Sequence, residues 1–409
     1  MGKHESMTEY EVVDVSVVEE VRTGPGDRRA ANERRHADAP PAGGPLTGLR
    51  GFHPGWFGAV MGTAIIGVAA SLNPGNAASL ASTARAVGQT MTIVAFVLAI
   101  GLVIPYLGRF LVHGDAALAD LHDPTTGALY ATLPGGILVL AATFAAVGPT
   151  WFTASTVRTV VAWLDWFGIP LALGASVLFA FLLFMRSELV PEAVNGSWFI
   201  PPVVNIVVPL VLSPLVPGVS ATSARELVFL SYGFWGMGFI LYLVILTMLY
   251  QRLTLHALPH AGLAPSLWIG LGPVGVGALA LLKMSAVGAP LFGPAAPSVA
   301  LISKIAATTL WGFGAWWLLA AIALLVHYLR TGPLPYGVGW WGFTFPLGAF
   351  TVSTLALASA WTISAVEWVG AALFILLCLF WLVVVVGTVV TLASRRPTRS
   401  PLPTPQPAR

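Results

Sequence analysis

Between residues 51 and 394 the chain is a succession of ten apolar runs, each long enough to cross a bilayer. They cover approximately residues 52–71, 86–111, 129–148, 158–185, 198–216, 226–250, 265–285, 300–329, 340–361 and 366–392. A backbone in hydrocarbon must satisfy its own hydrogen bonds, and runs of this length and number admit only a bundle of spanning helices. Charge agrees with this. Only 9% of the residues are Asp, Glu, Lys or Arg, against about a quarter in a soluble domain.

The charges are also unevenly placed. Residues 1–50 hold seven of the 20 Lys/Arg and nine of the 17 Asp/Glu, mixed with Pro, Gly and Ala, and read as a disordered tail. Residues 395–409 are basic and Pro-rich and read as a second tail. The expected organisation is a tail at 1–50, a ten-helix pore domain at 51–394 and a tail at 395–409. Arginines favour one orientation. With the N-terminus cytoplasmic, the inner helix ends carry Arg50, Arg109, Arg186, Arg252, Arg330, Arg395, Arg396 and Arg399, and the outer ends carry Arg85, Arg158, Arg225 and Lys304. The positive-inside rule then puts both termini in the cytoplasm, with the plasma (inner) membrane as the expected location.

Arg109, Arg186, Arg252, Arg330 and Arg395 close successive even-numbered helices at separations of 77, 66, 78 and 65 residues. The unit is a helical hairpin of about seventy residues, repeated five times. The odd helices share another signature, an aromatic followed within a few residues by Pro or Gly: Tyr130 with Pro134, Trp198-Phe199 with Pro201-Pro202, Trp268 with Pro273, and Trp340-Trp341-Gly342 with Pro346. In the first helix Trp56-Phe57-Gly58 precedes Met61-Gly62, so Met61 aligns with Phe345 and Gly62 with Pro346. Proline bends a helix interior, and bent, Gly-rich helices belong against protein or a water-filled cavity. The predicted fold is therefore all-α, with five bent odd helices inside five uninterrupted even ones, quasi-five-fold around a central pore.

FHPGWFGAVMGT (52–63) and WWGFTFPLGAFT (340–351) resemble the first and ninth helices of the tellurite-resistance/dicarboxylate transporter family, which includes TehA-like proteins, slow-type anion channels, malic-acid transporters and sulfite exporters. The resemblance spans residues 51–394. It implies ten helices in five hairpins, a homotrimer with one pore per subunit, and an aromatic plug on the ninth helix, here Phe345. The first motif departs from the commoner form at Ala64.

Phe345 is thus the candidate gate, a ring projecting beside Pro346 into a narrow lumen; the alternative is a packed core aromatic. Met61, Gly62, Gly135, Gly275 and the prolines Pro134, Pro202, Pro273 and Pro346 are expected near the axis. Thr63, Asn205 and Thr351 offer neutral hydrogen bonds to an anion or, equally, to a neighbouring helix. Lys283 stands as a vestibule cation or a snorkelling lysine. Asp165, two turns from Arg158, is expected to form an interhelical or interfacial ion pair.

The lone Cys378 excludes a disulfide framework. No metal site, cofactor, nucleophile elbow or P-loop is apparent, and the net charge of +3 does not suggest nucleic acid. The expected partners are the lipid bilayer and small anions: chloride, nitrate, sulfite or dicarboxylates. The leading reading is a gated anion channel. The alternative is a secondary carrier for sulfite or malate-like C4-dicarboxylates, with protons as a co-ion. A membrane enzyme is not expected.

Overall fold

A computed structural model describes residues 48–76, 78–187 and 189–394. Both expected tails, apart from residues 48–50, lie outside them. Among the described residues the chain is helical throughout, without strands.

Ten long helices follow in order: α1 Phe57–Ser71, α2 Ala81–Val112, α3 Thr132–Val147, α4 Ala154–Phe184, α5 Ile200–Leu212, α6 Ala221–Leu255, α7 Leu271–Phe292, α8 Ala296–Thr331, α9 Thr344–Trp361 and α10 Ser364–Ala393. By length and composition they are membrane spans. The stretch 261–331 holds two of them, α7 and α8, joined by a single 3-10 turn at Gly293–Ala295. α2, α4, α6 and α8 start four to five residues before their apolar runs and α10 two residues before, each helix continuing into the preceding turn. Thr153 and Ser220 cap α4 and α6 by accepting from Thr156 N at 3.3 Å and Ser223 N at 3.2 Å.

Burial separates the helices into two sets. In the most apolar windows of the spans containing α1, α3, α5 and α9, 72–83% of residues are buried, against 22% for those of α2, α4, α6 and α10. Each odd helix packs on its even successor. The odd helices also contact one another in the order α1, α3, α5, α7, α9, and α9 returns to α1. Indole N–H groups tie outer helices to the next inner one. Trp235 of α6 donates to Gly277 O of α7 at 3.1 Å, Trp311 of α8 to Thr354 Oγ1 of α9 at 2.9 Å, and Trp381 of α10 to Thr63 Oγ1 of α1 at 2.9 Å.

Two expectations about proline are corrected. The even helices are not free of it, since α2 contains Pro105 and α4 contains Pro170; one lost backbone bond in a helix of more than thirty residues leaves its path intact. Conversely, Pro134, Pro202, Pro273 and Pro346 are each the third residue of α3, α5, α7 and α9. There the backbone N–H would be unpaired in any case, so these prolines start helices and do not kink them. Each follows a 3-10 turn, at Gly127–Ala131, Gly196–Phe199, Ala261–Gly270 and Val338–Phe343. The first helix shows why. Gly62, aligned with Pro346, keeps its N–H for the carbonyl four residues back, and α1 accordingly begins at Phe57, inside the aromatic triplet.

A short helix at Gly114–His122 is not expected from the apolar runs. Arg109, only 5% exposed, holds it: its guanidinium meets Asp120 Oδ2 at 2.6 Å, Ala116 O at 3.3 Å and Arg50 O at 3.0 Å. An arginine read only as an orientation signal is a structural clamp. Arg252 is similarly buried and donates to Val194 O at 2.7 Å.

Candidate functional site

All five inner helices begin at the same end of the bundle, and their leading 3-10 turns surround a cavity of about 90 Å³. Every one of those turns contributes to its lining: Gly55, Leu129, Ser197, Ser266 and Trp341 are examples. Among the described residues the lining contains hydroxyls from Thr125, Thr132, Ser197 and Ser266 and the ring of His53, but no Asp, Glu, Lys or Arg. His53 stands just ahead of the span Pro54–Ser71, and its Nδ1 accepts from Gly55 N–H at 3.1 Å. Burial holds the imidazole well below its ordinary value, to about 4, and nearby Arg109 adds to that against an opposing pull from Asp120. The ring is neutral at physiological pH. Trp341 also lines the cavity, and its Nε1 has no hydrogen-bond partner among the described residues.

The cavity ends on Phe345, Met61, Val203 and Gly272. Two glycines sit close to these side chains. A Cβ placed on Gly135 would meet Met61 Sδ at 2.9 Å and Val204 Cγ1 at 2.9 Å; one on Gly272 would lie 3.5 Å from Val203 and 3.7 Å from Phe345 Cε1. Phe345 is 5% exposed and forms no ring pair among the described residues, unlike Phe343, which packs edge-on against Trp268 and Trp340. Its ring has small or flexible neighbours at this end of the cavity.

From this end of the cavity the same helix faces recur at +4, +7 and +11 residues. The first step is Ile65, Val139, Val207, Val276 and Ala349, all buried. The next is Val68, Ala142, Leu210, Leu279 and Val352, of which the first three are partly exposed. The last is Leu72, Ala146, Pro214, Lys283 and Ala356, all partly or fully exposed. The face is apolar until Lys283, and it opens with distance from Phe345.

Other expected site residues turn elsewhere. Gly62 is packed against Thr344 Oγ1 of α9, and Gly275 against the Ala349–Phe350 backbone, where a Cβ would approach to 2.6 Å. Thr63 is fully buried and accepts from Trp381. Asn205 donates to Pro201 O at 2.9 Å, leaving Oδ1 without a partner among the described residues, and Thr351 donates to Leu347 O at 2.8 Å. Pro134, Pro202 and Pro273 are buried in first turns, and only Pro346 reaches the cavity. The ion pair expected of Asp165 does not form among the described residues. Arg158 lies over Gly218, and neither Asp165 oxygen has a partner among the described residues.

Residues 51–389 match the family described as the SLAC1 voltage-dependent anion channel. The chain belongs to that family. It is 33% identical over 346 residues to an uncharacterized transporter of Methanocaldococcus jannaschii, covering 83% of this chain and 93% of that one. A sulfite efflux pump of Trichophyton rubrum is 27% identical over 366 residues, 83% of this chain and 91% of its own. A malic acid transport protein of Schizosaccharomyces pombe is 24% identical over 217 residues, about half of each chain. The family and the apolar helices make this a multi-pass membrane transport protein, as the two aromatic motifs had implied.

Proposed function

We propose that this chain conducts small anions along the axis of its five inner helices, and that Phe345, with Met61 beside it, closes the path. The observation that carries this reading is the convergence of five helix N-termini on a lining that, among the described residues, has no ionised side chain. Each N-terminus presents roughly half a positive charge, and neutral hydroxyls stand where a partly dehydrated anion needs donors. That field favours anions without a fixed cation to trap them. Beyond it, Phe345 supports closure by an apolar constriction, the path resuming along the strip from Ile65 to Lys283. The names of the fungal relatives point to sulfite and malate as the first substrates to try. In this reading both termini are cytoplasmic, the cavity opens inward from the plasma membrane, and three copies assemble with one path each.

A proton-coupled carrier is the second reading, and Asp165 favours it. This α4 carboxyl is 4% exposed with neither oxygen hydrogen-bonded among the described residues, the kind of intramembrane group that coupling uses. The deciding experiment is flux of chloride, nitrate, sulfite and malate through purified protein in liposomes, with and without a pH gradient. Channel behaviour is flux indifferent to the gradient. Gradient-driven flux that is lost in Asp165→Asn establishes the carrier and refutes the channel.

A further inference from the structure

At the end opposite Phe345 lies a second cavity of about 1050 Å³, bounded by the ends of α1, α7 and α9 and the starts of α8 and α10. Two lysines line it, Lys283 and Lys304. Lys283 is eleven residues beyond Gly272, about 20° around α7 from it, and is the one charged residue on the strip running from Phe345. Behind it α7 is covered: a Cβ on Gly277 would meet Leu310 and Trp235, and Met284 is fully buried. With helices packed behind, the ammonium has the cavity in front. It is exposed and has no ion pair or hydrogen bond among the described residues.

Lys304 is held in place. Its Nζ lies 4.1 Å from the ring centroid of Trp361, and Trp361 Nε1 donates to Thr308 Oγ1 at 2.8 Å. A cation over an indole face keeps most of its charge available to a third group. Among the described residues the one carboxylate in the lining is Glu367, which accepts from Gly75 N–H at 3.0 Å. The mouth therefore carries a surplus of positive charge around a volume far larger than a small anion.

We propose that Lys283 and Lys304 form a docking site at this mouth for doubly charged small anions, sulfite or a dicarboxylate, which are collected there before meeting the apolar strip. This rests on the axial path proposed above. Two ammonium groups facing one engaged carboxylate attract a dianion more strongly than a monovalent ion, and a charged mouth raises the local concentration of its counter-ion.

Two readouts test it. In liposomes containing the Phe345→Ala variant, adding Lys283→Ala and Lys304→Ala should raise the half-saturating malate concentration about tenfold, leave the maximal rate unchanged and shift nitrate less. The difference should vanish in about 1 M inert salt, where the Debye length is about 3 Å, and Lys283→Arg with Lys304→Arg should preserve the original value. An unchanged half-saturation overturns the site. The second readout needs no flux. The chain has only three lysines, Lys3, Lys283 and Lys304. Amine acylation of the purified full chain, resolved by mass spectrometry, should show malate protecting Lys283 and Lys304 several-fold while Lys3 serves as the internal control. Equal acylation with and without malate overturns the docking site. A silent Phe345→Ala variant with intact protection refutes the path reading and leaves the docking site standing.

Discussion

Truncating Phe345 to Ala separates a gate from a core residue because the two roles predict opposite balances of stability and flux. In a dry core, Phe→Ala costs about 3–5 kcal/mol, partly from the cavity left behind. Here the ring already borders about 90 Å³ of space, and a water needs only roughly 10–15 Å³ of such volume. The vacated site joins that space and fills with water, so the destabilisation should fall well below the dry-core figure. Flux moves the other way. If widening the path returns one ion–water hydrogen bond at the narrowest point, worth about 1.5–3 kcal/mol for a charged partner, the rate rises roughly 10- to 150-fold. Anion flux into liposomes and thermal unfolding by size-exclusion recovery, measured on the same preparations, read both. Unchanged flux together with a loss of several kcal/mol in stability would place Phe345 in the core and refute the reasoning.

Three further outcomes follow from the geometry. Thr63→Val removes the acceptor of Trp381 and should lower thermal stability by about 0.6–1.7 kcal/mol with anion selectivity unchanged; altered selectivity would put Thr63 on the path. Gly275→Ala drives a methyl into the Ala349–Phe350 backbone and should cost about 1–3 kcal/mol or more, seen as early aggregation on heating. The depressed value of His53, about 4, means that the unfolded chain binds the extra proton between its ordinary value and 4. Its contribution to stability is fully present above about pH 6.5 and is lost as the pH falls towards 4. His53→Gln should therefore flatten the acid limb of the unfolding temperature, and identical limbs would contradict the assignment.

The ten spans were legible because hydrocarbon leaves a backbone few options, and apolar runs of twenty residues report that constraint directly. The inner and outer sets were legible too, from the repeated aromatic-Pro/Gly signature. The facing of individual residues was not read, although the helical period contains it. With Met61 and Phe345 as reference, Thr63 lies about 200° from Met61 and Thr351 about 240° from Phe345. The same arithmetic turns Asn205 about 200° from Val203 and Gly275 about 300° from Gly272, and returns Lys283 to within about 20°. Motif membership suggested the axis where rotation pointed to a neighbouring helix. The clamp of Arg109 on the helix Gly114–His122 had no such signal. GDAALADLH is short and weakly apolar, and its stability comes from a partner eleven residues away.

Along the proposed path, the prolines that open four inner helices bear on how long an ion stays. A prolyl nitrogen has no proton, so α3, α7 and α9 each present one donor fewer, and α5 two fewer, at the end that surrounds the cavity. The aligned dipoles remain, and with them the long-range attraction. What is thinned is the short-range cradle of N–H groups that turns a helix start into a tight anion trap. A passage built this way draws anions in and also lets them leave.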